Sequence, residues 1–328
     1  MTARTPSPWT GREDGPGPEH ARWHQRIRVL DDSDDGTDGP HVALLGFRTD
    51  EGVRRNRGRV GAAEGPEALR RALAPMALHG SLARGAVALV DRGDAVTVGE
   101  DLEGGQERAA ALTAAALESP DGLLTIVLGG GHETAWSSYL GLRRSRRLDE
   151  GTRWGVLNLD AHFDLREEPR ATSGTPFAQM ASAEQEAGRK LDYMVLGIAE
   201  ASNTGALVDR ARELGVRWWT DEQCLEAGAA GIRAAVEEFA AGLDVLYLTI
   251  DLDVLPAATA PGVSAPAAYG VPLPLISAAV RAAAGSGALA LLDVVELNPS
   301  LDLDARTARA AARLVDDAVR TVAAGLPH

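Results

Sequence analysis

Short, uninterrupted apolar runs recur along this chain, each followed by a longer, Ala-rich stretch. Leu123-Leu124-Thr125-Ile126-Val127-Leu128 is the clearest of them. A strand apolar at nearly every position has no face to offer water, so it suits a sheet covered on both sides. Runs of this kind predict strands at 41–46, 86–91, 123–128, 154–159, 192–198, 216–219, 245–250 and 288–295. The stretches between and after them predict helices near 64–75, 105–118, 133–144, 206–214, 221–240, 274–284 and 303–323. Strands that alternate with helices are joined by crossovers. The expected fold is therefore α/β: a single-domain, three-layer αβα arrangement around a mostly parallel central sheet.

Hydrophobic residues make up 45% of the sequence and aromatics only 4%, so a large core is available and must be built mostly from Ala, Leu and Val. No Pro/Gly/Ser-rich linker interrupts the middle of the chain, and residues 41–328 are expected to form one domain. Residues 1–40, rich in Pro, Gly, Asp and Arg, are expected to form a partly irregular N-terminal extension. Its acidic stretch Asp31-Asp32-Ser33-Asp34-Asp35-Gly36 reads as an exposed loop, and Trp9, Trp23 and His24 are candidates to pin the segment to the body. The net charge of -14 leaves no basic face for nucleic acid or for a membrane surface. One cysteine, Cys224, rules out an intramolecular disulfide. The start of the chain has no signal-like apolar segment, and no apolar run approaches membrane-spanning length. A cytoplasmic protein without nucleic-acid or membrane partners is expected.

The polar residues that follow the apolar runs carry the chemistry. Leu157-Asn158-Leu159 leads into Asp160-Ala161-His162-Phe163-Asp164, Leu246-Tyr247-Leu248-Thr249-Ile250 leads into Asp251-Leu252-Asp253, and Leu128 leads into Gly129-Gly130-Gly131-His132. Open α/β sheets place their ligands beyond the C-terminal ends of strands. Residues i, i+2 and i+4 of an extended segment point the same way, so Asp160, His162 and Asp164 are able to converge, as are Asp251 and Asp253. Taken singly, an Asp-x-Asp is usually a solvated loop or a cap, and a lone histidine is usually structural. All three clusters at apolar strand ends are a different matter. Four crowded carboxylates would repel one another unless cations sat between them. Two divalent ions meet that need and would convert a water to hydroxide near neutral pH. An oxygen-rich set with two imidazoles and no thiolate favours Mn²⁺, with Co²⁺, Ni²⁺, Fe²⁺ and zinc as rivals.

Two further features stand beside these clusters. The glycines at 129–131 lack the Gly-Lys-Ser/Thr ending and the G-x-G-x-x-G spacing of nucleotide loops. They are read as letting backbone approach the site and aiming His132 inward. Asp293-Val294-Val295-Glu296-Leu297-Asn298-Pro299 ends another buried run, which puts Glu296 on the same rim. A carboxylate there suits a cationic amidine or guanidine. The commoner use of such a segment is a turn or cap at Asn298-Pro299.

At these residues the chain resembles the arginase-like ureohydrolase family. The motifs are Gly-Gly-Gly-His-Glu at 129–133, Asn-Leu-Asp-Ala-His-Phe-Asp at 158–164, Thr-Ile-Asp-Leu-Asp-Val-Leu-Pro at 249–256 and Asp-Val-Val-Glu-Leu-Asn-Pro at 293–299. The resemblance implies an arginase-like fold and two Mn²⁺ per subunit. His132, Asp160, Asp164 and Asp251 would hold one ion; His162, Asp160, Asp251 and Asp253 would hold the other. Asp160 and Asp251 would bridge. Asp164 and Glu296 would be the catalytic side chains: Asp164 would handle the nucleophile's proton, and Glu296 would orient the substrate's carbon–nitrogen group. A homo-oligomer is implied as well.

Within the family the likeness is to the branch that hydrolyses N-formimidoyl-L-glutamate to L-glutamate and formamide in histidine degradation. The segments that carry it are 50–59, Ser173-Gly174-Thr175-Pro176-Phe177 and 260–266. Gly131 stands where guanidine-cleaving relatives have an Asp. Ser173 stands where they have a proton-shuttling histidine, and His20, His24, His41, His79 and His328 all lie outside the motifs. The implied substrate is a small molecule with two carboxylates. Arg166 is a candidate clamp for one. Arg54 and Arg55, with Arg57 and Arg59 in the same basic loop, are candidates for the second, against a plain reading as surface charges or subunit contacts. Ser173 and Gly174 would offer a hydroxyl and backbone donors. Three alternatives stand beside this reading: a ureohydrolase acting on another guanidino or amidino acid, a catalytically silent metal-retaining binding protein, and a deacylase with a single-zinc ligand set.

Overall fold

The computed structural model describes residues 8–30 and 39–325. The acidic stretch 31–36 and His328 lie outside the described residues. Among the described residues, nine strands form one sheet: β1 (Ile27–Val29), β2 (His41–Arg48), β3 (Ala88–Val96), β4 (Gly122–Leu128), β5 (Trp154–Leu159), β6 (Tyr193–Ile198), β7 (Arg217–Thr220), β8 (Val245–Asp251) and β9 (Leu289–Val295). Their order is β1-β3-β2-β4-β9-β8-β5-β6-β7, and every pairing is parallel. All eight expected strands are present. β1 is an addition: three half-exposed residues on the sheet edge carry no periodic signal.

Alternate residues of the central strands feed two separate cores, because successive side chains point to opposite faces. Leu44, Ile126, Leu157, Leu248 and Leu292 enter one core, closed by helices Gly65–Leu73, Asp221–Ala240, Leu273–Gly285 and Arg306–Ala324. Leu45, Val127, Val156, Tyr247 and Leu291 enter the other, closed by helices Leu102–Leu117, Thr134–Arg144, Pro176–Glu186 and Gly205–Leu214. The result is the expected three-layer αβα fold. Helix Pro176–Glu186 is the long element that sequence periodicity did not reveal. Its Pro176 occupies the first turn, where a missing N–H costs nothing.

The N-terminal segment is fastened by aromatic contacts. Trp9 stacks on Trp23, Trp9 Nε1 donates to Asp91 (2.7 Å), and Trp23 Nε1 donates to Asp316 (3.1 Å). His24 Nδ1 lies 2.8 Å from the carbonyl of Ala74. No helix among the described residues is long and apolar enough to cross a membrane.

Candidate metal centre

The strand order sets β4, β9, β8 and β5 side by side in the middle of the sheet, and each carries a predicted site residue just past its C-terminal end. The register adds a polar row beneath them. Asn158 on β5 is level with Thr249 on β8, which is level with Asp293 on β9. Two residues further along, Asp160 and Asp251 leave their strands on the same side.

His132, Asp160, Asp164 and Asp251 converge into one group able to hold a cation, and Asp160, His162 and Asp253 into a second. His132 Nδ1 lies 3.2 Å from Asp160, 3.0 Å from Asp164 and 3.1 Å from Asp251. One ring nitrogen carries at most one proton, so it cannot satisfy three carboxylates. A separation of about 3 Å is what neighbouring donors show around an octahedral ion bound at ~2.1 Å. The donors therefore fit a divalent cation better than they fit one another. His162 Nδ1 lies 3.0 Å from Asp253 and 3.5 Å from Asp160. Asp160 belongs to both groups. Asp251 falls only in the first, and its Oδ1 accepts the amide of Asp253 (2.8 Å).

The electrostatics of the cluster are those of a site with too much negative charge. Burial and the charges of Asp253 and Asp160 push the Asp251 carboxyl well above its usual range. Burial raises Asp253, and burial with the charge of Asp160 raises Asp164. Burial opposes a charged His132, yet the three carboxylates around it outweigh that cost and raise it well above an ordinary imidazole. The same balance, with Asp253 foremost among the carboxylates, lifts His162 to about 12. In effect, protons stand in for cations. Binding of a metal would displace them.

Residues that the sequence reading passed over hold these groups in place. His132 Nε2 meets Thr249 Oγ1 at 3.1 Å, which leaves Nδ1 to face the carboxylates. Asn158 donates to Asp160 (2.9 Å) and to the Tyr193 hydroxyl (3.0 Å), and that hydroxyl donates to the carbonyl of Phe163. Asn203 accepts from the Phe163 amide and donates to the carbonyl of Ala161, clamping the 160–164 turn. Asp293 accepts from Ser138 and from the Tyr247 hydroxyl. The ring of Phe177 meets His132 edge-on at 5.3 Å. The signal that would have found Asn158, Thr249 and Asp293 is a polar residue two or three places before the rim residues Asp160, Asp251 and Glu296 in an otherwise apolar strand.

Glu296 and Asp164 adopt left-handed backbone angles, with φ of 68° and 49°. Residues other than glycine seldom do so, and such strain gathers at functional sites. Glu296 is buried, and its Oε1 accepts the amide of His132 (2.9 Å). Burial and the nearby charge of Glu133 push its pKa up to about 8. Asp164 and His162 keep side-chain exposures of 15% and 25%, so the centre opens on their side. A cleft of about 580 Å³ reaches His162 between Ala199–Ser202, Asp221 and Tyr269.

The arginines differ from expectation. Arg55 is only 6% exposed, and its five N–H groups are all used, by Glu51, Glu103 (twice), Ala171 and Glu100. It has no donor left for a substrate carboxylate and serves to tie three segments together. Arg54 is held by Glu51 and Glu100. Arg59 bonds to Ser264 and Val263. Arg166 lines a neighbouring cleft with Glu167, Glu168 and Gln179 rather than the one that opens on His162. Ser173 is buried and accepts from Asn56 Nδ2 (3.2 Å), and the carbonyl of Gly174 accepts the Arg166 amide (2.9 Å).

Fold and site together define the class: a hydrolase of three-layer αβα architecture with a metal-binding pole at the centre of a parallel sheet. The chain belongs to the arginase family, whose profile matches residues 40–320. It is 53% identical over 311 residues to the formimidoylglutamase of Nocardia farcinica (strain IFM 10152), covering 94% of this chain and 95% of that one. It is 50% identical over 310 residues to that of Rhodococcus opacus (strain B4), covering 94% of each. Among solved structures, the formimidoylglutamase of Bacillus subtilis subsp. subtilis str. 168 has the same fold, with a TM-score of 0.81 at 24% identity over 98% of this chain and 96% of that one. The formiminoglutamase of Trypanosoma cruzi, solved with Mn²⁺, gives a TM-score of 0.75 at 25% identity over 88% and 95%.

Proposed function

We propose that this protein hydrolyses N-formimidoyl-L-glutamate to L-glutamate and formamide, a late step of histidine degradation. The observation that carries the reading is the convergence of four carboxylates and two imidazoles beside a buried Glu296 that is fixed by the His132 amide. The relatives at 50% and 53% identity supply the substrate. We assign two Mn²⁺ to each subunit. His132, Asp160, Asp164 and Asp251 would hold one ion, and Asp160, His162 and Asp253, sharing Asp251 with the first group, the other. Such ions would lower the pKa of a bound water and offset the carboxylate charge.

The chain's own groups do the rest. The second oxygen of Glu296 accepts an N–H of the cationic formimidoyl group and orients its carbon. Water oxygen adds to that carbon, and the carbon–nitrogen bond to the glutamate part then breaks. Asp164, with 15% of its side chain exposed and a raised pKa, takes a proton from the attacking water and hands it to the departing nitrogen. Ser173 and Asn56, hydrogen-bonded to each other at 3.2 Å, would meet the substrate's anionic end. No histidine stands at position 173 to serve guanidine chemistry, and His24 and His41 are held by the carbonyls of Ala74 and Gly39. A cytoplasmic homo-oligomer belongs to the same reading, by likeness to the family.

The test is to load the purified protein with Mn²⁺ and offer N-formimidoyl-L-glutamate, arginine, agmatine and guanidinobutyrate in parallel. Formamide from the first alone is the expected outcome. Preferential urea release from any other overturns the substrate assignment.

A further inference from the structure

We infer that Glu133 is a positioning residue that sets the distance between the metal pole and the loop carrying Asn56, and that Gly52 and Gly131 are the room it requires. The inference rests on the substrate reading above and concerns how the anionic end of that substrate is placed.

Glu133 follows His132 directly and is fully buried. Its Oε1 accepts from Thr49 Oγ1 (3.1 Å) and from the Gly52 amide (3.0 Å). Its own carbonyl accepts from Gln106 Nε2 (2.9 Å). No cation pairs with it among the described residues, and its Oε2 has no partner. A buried carboxylate of this kind is costly, and an apolar side chain would pack more cheaply. What the carboxylate provides is a specific reach to the next segment. Helix Glu51–Arg55 starts at that contact, and Asn56 follows it, with Nδ2 on Ser173 Oγ at 3.2 Å. Arg55 fastens the same turn to Ala171 and Glu103. A short, bonded path thus runs from His132 through Glu133 and Gly52 to Asn56 and Ser173.

The glycines show how tightly this path is drawn. A Cβ on Gly52 would sit 2.5 Å from the Glu133 carboxyl carbon. A Cβ on Gly131 would sit 2.2 Å from Glu133 Oε2 and 2.4 Å from Val53 Cγ2. Any side chain at position 131 is therefore incompatible with Glu133 in this conformation. Glu133 in this conformation thus requires Gly131.

The experiment compares Glu133→Ala, Glu133→Gln and Gly52→Ala with the wild type, all as Mn²⁺-loaded full chains. Placement errors near 1 Å can cost on the order of 100-fold, so a partial loss of position should be measurable. Glu133→Ala should raise KM for N-formimidoyl-L-glutamate about tenfold or more, with kcat within about threefold and metal content unchanged. Amide exchange over 49–57 should quicken in the same variant. Glu133→Gln should restore KM, because an amide oxygen still accepts from Gly52 and Thr49. Gly52→Ala, which leaves Glu133 intact but displaces the loop, should reproduce the KM effect if Glu133→Ala fails to fold. An unchanged KM in Glu133→Ala or Gly52→Ala overturns the inference, as does a fall in kcat together with metal loss. Wild-type enzyme that ignores the substrate defeats the substrate reading instead, which keeps the two failures distinct.

Discussion

Two buried acidic regions of this molecule have opposite fates. On β3, Asp91 is met by Arg70 through two hydrogen bonds of 2.8 Å, with Trp9 donating a third and Asp94 taking the other end of the guanidinium. Its charge is matched within the protein, and the arrangement is structural. At the ends of β5 and β8, four carboxylates meet only two imidazoles, and three of the four are raised above their ordinary pKa. Burial alone does not mark a functional carboxylate. A charge that the protein leaves unmatched does, because something from outside must complete it.

The sharpest way to break this contrast is Asp251→Asn. Turnover should fall by about 1,000-fold or more, the scale of losing a principal electrostatic element. The metal-free protein should lose no stability. A carboxylate whose folded pKa lies above its unfolded value costs stability at neutral pH, so a neutral amide removes that cost. Thermal unfolding without metal is the check, and a lower melting temperature in the variant would put Asp251 in the same category as Asp91. Arg70→Ala should do the reverse. It strands Asp91 and should destabilise the fold by about 3–5 kcal/mol, while activity per folded molecule holds. Denaturant titration beside specific activity reads both. A loss of specific activity without a loss of stability would mean that the two regions are coupled. Smallest is Thr249→Val, which removes the partner of His132 Nε2. Metal affinity should fall roughly 10–100-fold, measured by competition with a chelator. An unchanged affinity would show that the ring is oriented by Phe177 packing alone.

Much of the site was legible in the sequence, for a simple reason. In a parallel sheet buried on both faces, polar residues within a few positions after an apolar run lie on the C-terminal rim. That placed His132, Asp160, His162, Asp164, Asp251, Asp253 and Glu296. The arginines were not legible in this way. Arg55 and Arg166 have the right charge and lie close in sequence to the motifs, but which acceptor a long, flexible side chain finds depends on segments remote in sequence. Glu103 lies 48 residues from Arg55, and it claims two of the donors that substrate recognition would have needed. Asn158, Thr249 and Asp293 were hidden differently. Each looks like a lapse in a buried strand until the register aligns all three across β5, β8 and β9.

Local pattern determined that the chain would make a covered parallel sheet and that its carboxylates would gather at one end of it. Both follow from the two-residue period of a strand and from the cost of burying charge away from water. Only the tertiary structure decided which strands stand side by side, which cations are already spent on protein acceptors, and how closely Glu133 draws the 49–56 loop to His132. Those are distances between remote segments, set by the strand order and by steric fit at Gly52 and Gly131.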